Sequence, residues 1–450
     1  MNTYFKLTKW LLMLPVVGIF IVSTSTLFPF IVGKYVWFRS SVDLALIIFL
    51  FGLLLHDDTS EMWNRVKAVL KQPLVVAVSI FIAIFLLAGF FGVDPMMSFW
   101  SNFERGEGGL QLLHFWAWFV LLVTLFKEDK DWYSIFNFAL VGGALMAFYG
   151  FMAGVGVGGF IGPKLLADRF SGSIGNPAYT AAYSVFMLFY IGFLLASKYR
   201  KALRSGGAIL LYVLAALFFT TFLLAATRGA FMGLVVSAVA FLGFFVYTHK
   251  AWRKWLVSAI LALVLLVGIG IKFQDSKFVK AIPGSRIFDI SVTTETFADR
   301  TIMWNIAVSG FKERPLLGWG PENYLHIFDT HFDTRYFKPA SGFGAWFDRA
   351  HSIYFDYLAE TGILGLLSYL GIFVVFYWQF LKKRVGDSLL SERTTILQGL
   401  LFSVLFAYLV QGIVLFDVSP IYSNVFLVLA FGAYLFQSHG SRSHNAVTNN

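Results

Sequence analysis

GGAILLYVLAALFFTTFLLAATRGAFMGLVVSAVAFLGFFVY, residues 206–247, places a single charged side chain, Arg228, between two apolar runs. A helix needs about 20 mostly apolar residues to cross a bilayer. The stretch therefore reads as two membrane helices, over 206–226 and 229–247, joined by almost nothing. Outward from it, the same pattern recurs over 10–32, 41–55, 74–92, 110–126, 133–157, 177–197, 256–273, 353–378, 394–415 and 421–437. The expected fold is an all-α polytopic membrane protein with about 12 transmembrane helices. The run over 41–55 is short and contains Asp43, so it is expected to tilt, to be half-buried or to extend toward Trp37.

Composition agrees. The 450 residues are 58% hydrophobic with 52 Phe and a mean hydropathy of +0.73, and 13% are charged against about 25% in soluble domains. This excludes a soluble globular enzyme. The net charge is +10, but the basic residues are dispersed between apolar runs and read as topology signals, with no nucleic-acid partner. With the N-terminus inside, Lys6, Lys9, Lys67, Lys71, Lys198, Arg200, Lys201, Lys254, Lys382 and Lys383 gather on the cytoplasmic side, and the short outer segments hold few cations. Lys6 and Lys9 ahead of 10–32 have the charge order of a signal peptide, yet the run is too long and lacks a small-x-small cleavage pattern, so it reads as a retained anchor. Cysteine is absent, which rules out disulfides, iron–sulfur clusters and thiolate chemistry.

One connection is long. Residues 274–350 lie between the ninth and tenth runs, and the same orientation puts them outside. The expected division is 1–273 for helices one to nine, 274–350 for the outer loop, 351–437 for the last three helices and 438–450 for a cytoplasmic tail. Within the loop, Phe297 to Lys312 sets Ile302, Ile306 and Phe311 on one side of an amphipathic helix that Pro315 stops. Gly318, Gly320 and Pro321 turn the chain, and the aromatic, glycine-rich stretch from Tyr336 to Trp346 suggests a segment at the membrane face.

Polar groups near membrane depth are costly and mark function. Arg228 is held at the outer boundary, where Gly229 lets the chain turn tightly; it fits either an arginine snorkelling to the interface or a fork donor gripping a phosphate. Arg300 is either a loop cation paired with Asp299 or Glu295, or a group pointed into the membrane opening by the amphipathic helix. His351, where the loop enters the tenth run, suits a helix cap or a neutral general base that Asp348 or Asp356 would orient. Arg169 is placed to contact an acceptor or a phosphate, and Asn176-Pro177 reads first as a helix start. His326 and His331, with Asp329 and Asp333 nearby, lack helical metal-ligand spacing and a third ligand, so no metal is expected. There is no phosphate-binding Gly-rich loop and no cytoplasmic segment large enough for a nucleotide-binding domain.

In these residues the chain resembles the O-antigen ligase and polymerase superfamily of bacterial membrane enzymes. The resemblance rests on Arg228-Gly229 in TRGAFMG, on Arg300 in DRTIMWNIAVSGFKERPLLGWGPENY, on HSIYFDYLAETGILG from His351 to Gly365, and on the GNP that ends the stretch from Arg169 to Pro177. Ser352 stands where family members often have Asn. The resemblance implies an inverting, metal-independent glycosyltransferase without cofactor, in the bacterial inner membrane with its active site on the periplasmic face. It implies an undecaprenyl-diphosphate-linked glycan as donor and lipid A core, another glycan or a protein as acceptor. His351 would be the general base, Arg228 and Arg300 would neutralise the diphosphate, and Arg169 and Asn176 would contact substrate. A glycan polymerase is the alternative within the superfamily. A secondary transporter is the alternative from another class, with Asp43, Gly142-Gly143, Gly268 and Gly270 as its candidate midplane features.

Overall fold

A computed structural model of the chain describes residues 3–55, 59–154, 169–282, 284–289, 295–337, 346–385 and 392–447. The apolar helices are α1 (Thr3–Leu11), α2 (Val32–Leu54), α3 (Pro73–Phe90), α4 (Gly109–Leu125), α5 (Asp129–Gly154), α6 (Pro177–Ala196), α7 (Gly206–Ala225), α8 (Arg228–Thr248) and α9 (Arg253–Lys272). Two helices of mixed polarity follow, α10 (Glu295–Glu313) and α11 (Tyr324–Thr330), then α12 (Ile353–Val385), α13 (Glu392–Gln411) and α14 (Ser419–Val447). Among the described residues, 10 helical stretches are long and apolar enough to cross a membrane, and those at Gly109–Leu125 and Thr395–Gln411 are apolar but shorter. The protein is a polytopic, all-helical membrane protein.

The first expected run is not one helix. α1 begins at Thr3, the helix breaks ahead of Pro15, and residues 21–31 are irregular until α2 starts at Val32. Proline lacks the N–H a helix interior requires, and Thr26 Oγ1 and Ser23 N donate within the local turn to Ser23 O and Pro29 O, competing with helix. The run expected over 41–55 extends back through Trp37, and the extension is tolerated because Lys34 Nζ donates to Ile21 O, Phe30 O and Ser173 O, each at 2.7 Å.

α8 lies along α13, α7 along α6, α12 along α3 and α1 along α2. Aromatic rings fill spaces between other helices; Phe136 of α5 stacks on Tyr190 of α6 with centroids 4.8 Å apart, and Phe115 of α4 on Phe426 of α14 at 5.3 Å. Between α9 and α12 the chain builds a second, smaller apolar cluster from Met303, Ile306, Ala307, Trp319, Tyr324, Ile327 and Phe328, closed by Ala350 and Ala359. α10 thus spends its apolar side on α11 and α12, with Met303 and Ala307 buried and Ile302 and Phe311 only half-buried. Asn305, on the same helix, is exposed.

This second cluster is locked to α12 by a break. Gly362 has φ 64°, and a Cβ there would lie 2.4 Å from the Leu316 backbone. The turn after α10 inserts at that point: Ile363 N donates to Pro315 O at 2.9 Å, Trp319 N to Ala359 O at 3.0 Å and Gly320 N to Glu360 O at 2.8 Å. Of the aromatic stretch expected at the membrane face, residues 338–345 lie outside the described residues, as do the side chains of the tail after Gln437.

Candidate functional site

The turn between α7 and α8 sets the site. Ala226, not Gly229, makes it, with a left-handed φ of 47°; Gly229 is helical and allows close approach, since a Cβ there would lie 2.8 Å from Val414. Thr227 precedes α8, so Arg228 is its first helical residue. Arg169 reaches the same turn and donates to Ala225 O through Nε at 3.0 Å and Nη2 at 2.8 Å, and to Thr227 Oγ1 at 2.8 Å. Ala225 O is the last carbonyl of α7, beyond reach of the helix's own N–H groups, so Arg169 caps that helix while its charge stays within range of Arg228. Burial, then the nearby charges of Arg286 and Arg228, lowers the Arg169 pKa to about 10.

The segment after α9 folds back over this turn. Gly284 has φ 77° and packs against the Leu223 carbonyl, where a Cβ would come within 2.2 Å. Phe288 then lies edge-on to Phe231 at 5.4 Å, which brings Asp289 Oδ2 to 2.7 Å from Arg228 Nη2. Arg300, in the second turn of α10, is half-buried and has no ion pair among the described residues. Burial and then the charge of Arg228 lower its pKa. Arg228 therefore lies within electrostatic range of both Arg169 and Arg300, and Arg169 also feels Arg286, which the sequence reading did not single out. Nothing in the local sequence around Arg286 marks it; only the fold-back after α9 does.

His351 sits at the start of α12 in the left-handed region, φ 57°, an uncommon conformation for a residue with a side chain. Its ring is held edge-on between Phe347 at 4.9 Å and Phe416 at 5.1 Å. Nδ1 lies 3.2 Å from Arg349 O, and a carbonyl only accepts, so Nδ1 is the protonated nitrogen and Nε2 keeps its lone pair. Burial lowers the His351 pKa, the Arg349 hydrogen bond opposes this, and the charge of Arg300 lowers it further. Arg300 therefore lies within electrostatic range of His351.

Neither expected carboxylate bonds to His351. Asp348 is taken by Arg105, whose Nε and Nη2 donate to its two oxygens at 2.9 and 2.8 Å. Asp356 Oδ1 accepts from Ala350 N at 2.6 Å and so shapes the turn that carries His351. Behind them Arg349 is buried and donates to Glu322 and Glu360, a pairing the sequence reading missed because the partners come from three segments. Burial works against the charge of Arg349, but Glu322 and Glu360 together raise its pKa. Glu107 Oε1 accepts from Ser419 N, and burial followed by the charge of Glu322 pushes its pKa up to about 8.

Asn176 is a helix cap, as its local sequence indicates: its side chain accepts from Ala178 N at 2.8 Å and Pro177 opens α6. His326 is exposed on α11, and His331 Nε2 faces Glu313 at 3.3 Å. The acids near them are otherwise engaged, Asp329 by Trp346 and Asp333 by Arg335. Among the described residues, no group of three or more His, Asp or Glu side chains is arranged to hold a metal ion.

No curated protein matches the chain. Residues 213–370 match the family model for O-antigen ligase. The match holds Arg228, Arg286, Arg300 and His351, and leaves Arg105, Arg169 and Asn176 outside it. The matched stretch runs from within α7 to the first half of α12, and over it the chain is similar to the O-antigen ligase family.

Proposed function

We propose that the protein is an inverting, metal-independent glycosyltransferase that moves a glycan from undecaprenyl diphosphate onto an acceptor, most specifically O-antigen onto lipid A core, at the periplasmic face of a bacterial inner membrane. The family match carries the general reading of O-antigen ligase or polymerase-type glycosyl transfer. The observation that supports the finer one is the juxtaposition of an under-neutralised arginine group with a histidine whose Nε2 is free.

As the anomeric carbon–oxygen bond of the donor breaks, negative charge grows on the diphosphate oxygen that leaves. Arg228 and Arg300 meet that charge at the rim of the helices, where removal from water strengthens it, and Arg169 adds its field from the α7 end. His351 Nε2 takes the proton of the acceptor hydroxyl as that oxygen attacks from the opposite face, so the configuration inverts and no covalent glycosyl-enzyme forms. The proton ends on His351 and the bonding pair on the leaving diphosphate. The guanidinium groups supply the positive charge that a divalent ion supplies in other diphosphate-using sites.

The test is a surface-glycan gel of cells lacking the protein, complemented with wild type or His351→Ala, with lipid-linked intermediates extracted in parallel. Long glycan lost from the acceptor with lipid-linked polymer accumulating is the expected result. Single repeat units on the acceptor would point to a polymerase, and an unchanged pattern would overturn glycosyl transfer altogether. Transfer by the purified enzyme should also survive EDTA; sensitivity to the chelator would overturn metal independence.

A further inference from the structure

The carboxylate nearest to His351 in sequence is withheld from it. Arg105 comes from the segment between α3 and α4, 243 residues away, and takes both oxygens of Asp348. The same guanidinium lies 4.7 Å over the ring of Phe416, the ring against which His351 is packed edge-on. Arg105 therefore holds Asp348 by charge and Phe416 by its flat face. Without it, Asp348 would lie three residues from an imidazole whose charge it is already close enough to influence.

We propose that Arg105 is a positioning residue for glycosyl transfer: by occupying Asp348 and bracing Phe416, it keeps a carboxylate off His351 and holds Nε2 free and aimed as the base. This rests on the reading of His351 as general base. The charged groups around the imidazole are Arg300 from α10, Asp348 and Arg349 from its own segment, and Arg105. Two further acids near these segments are engaged elsewhere, Glu107 by Ser419 N and Asp417 by the Tyr408 hydroxyl. Removing Arg105 takes away a cation that disfavours imidazolium and frees an anion that favours it. Both effects raise the proton affinity of His351. Because the base works only when neutral, the acid limb of the transfer rate must move to higher pH.

The experiment uses the full-length protein in membranes of cells that supply their own lipid-linked glycan and acceptor, with transfer rate measured against pH for wild type, Arg105→Gln, Asp348→Asn, the double variant and His351→Ala. Arg105→Gln should move the acid limb up by about one pH unit, the lower end of what a carboxylate neighbour does, and so lose roughly tenfold in rate on the acid side beyond any loss at high pH. Asp348→Asn alone should move the limb the other way, and adding it to Arg105→Gln should return the limb toward wild type. Should Arg105→Gln fail to accumulate, the Asp348→Asn shift decides the matter alone. A loss equal at every pH, or a limb that Asp348→Asn leaves in place, overturns the role given to Arg105. Transfer retained by His351→Ala instead overturns the base assignment on which it rests.

Discussion

Arg105 and Arg349 are treated in the opposite way to Arg169, Arg228, Arg286 and Arg300. The first pair is neutralised: Asp348 takes Arg105 bidentately, and Glu322 and Glu360 take the buried Arg349. The second group has four guanidiniums and, among the described residues, one carboxylate, Asp289, which is itself half-exposed. A buried cation must bring its counter-charge with it or cost several kcal/mol, whereas a cation at the rim can leave the place open. The difference separates arginines neutralised within the fold from arginines with few counter-charges, which on the proposed function meet the diphosphate of the donor.

The comparison breaks most visibly at Arg349. Arg349→Met leaves Glu322 and Glu360 buried without a cation and should cost about 3–5 kcal/mol, read as a large fall in folded protein by thermal unfolding in detergent. An unchanged midpoint would show that the neutralised set is not structural. Arg300→Ala and His351→Ala should do the reverse, keeping membrane abundance and lowering transfer by about 10²–10⁴-fold, the range for charge-stabilising and general-base groups. Normal glycan in either variant would dissolve the distinction between the two sets.

Smaller effects sharpen it. Burial and Arg300 hold the His351 pKa below its ordinary value, and the base is active when neutral, so wild-type transfer should persist as pH falls to below about 6.5 before the acid limb begins. A limb centred at higher pH would mean that a carboxylate reaches the imidazole after all. Asn176→Ala removes only a helix cap and should cost about 1 kcal/mol of stability with transfer otherwise intact, measured by unfolding and the same glycan gel. Asp289→Asn, which removes the one acid from the open set, should tighten binding of inorganic diphosphate by only a few-fold in calorimetry, as expected for an exposed pair.

What the sequence made legible follows the range of the forces involved. In a bilayer every backbone donor needs an acceptor within its own helix, so a span is encoded by 20 or so consecutive residues, and the apolar runs could be read one at a time. Where short-range chemistry intervened, at Pro15 and the serines and threonines around Ser23, the expected first helix was displaced for equally local reasons. Arg228, Arg300 and His351 were legible as polar groups in costly places, and the Asn176 cap as a local signal. Charge pairing has no such locality. Arg105 finds Asp348 across 243 residues, Arg228 finds Asp289 across 61, and Arg286 joins the cationic group only because the chain after α9 folds back onto α7. The sequence by itself determined that this is a helical membrane protein and which polar residues were worth suspecting. The tertiary structure alone decided which charges are cancelled and which are left open, because a counter-charge is chosen by distance in space, which chain order does not set.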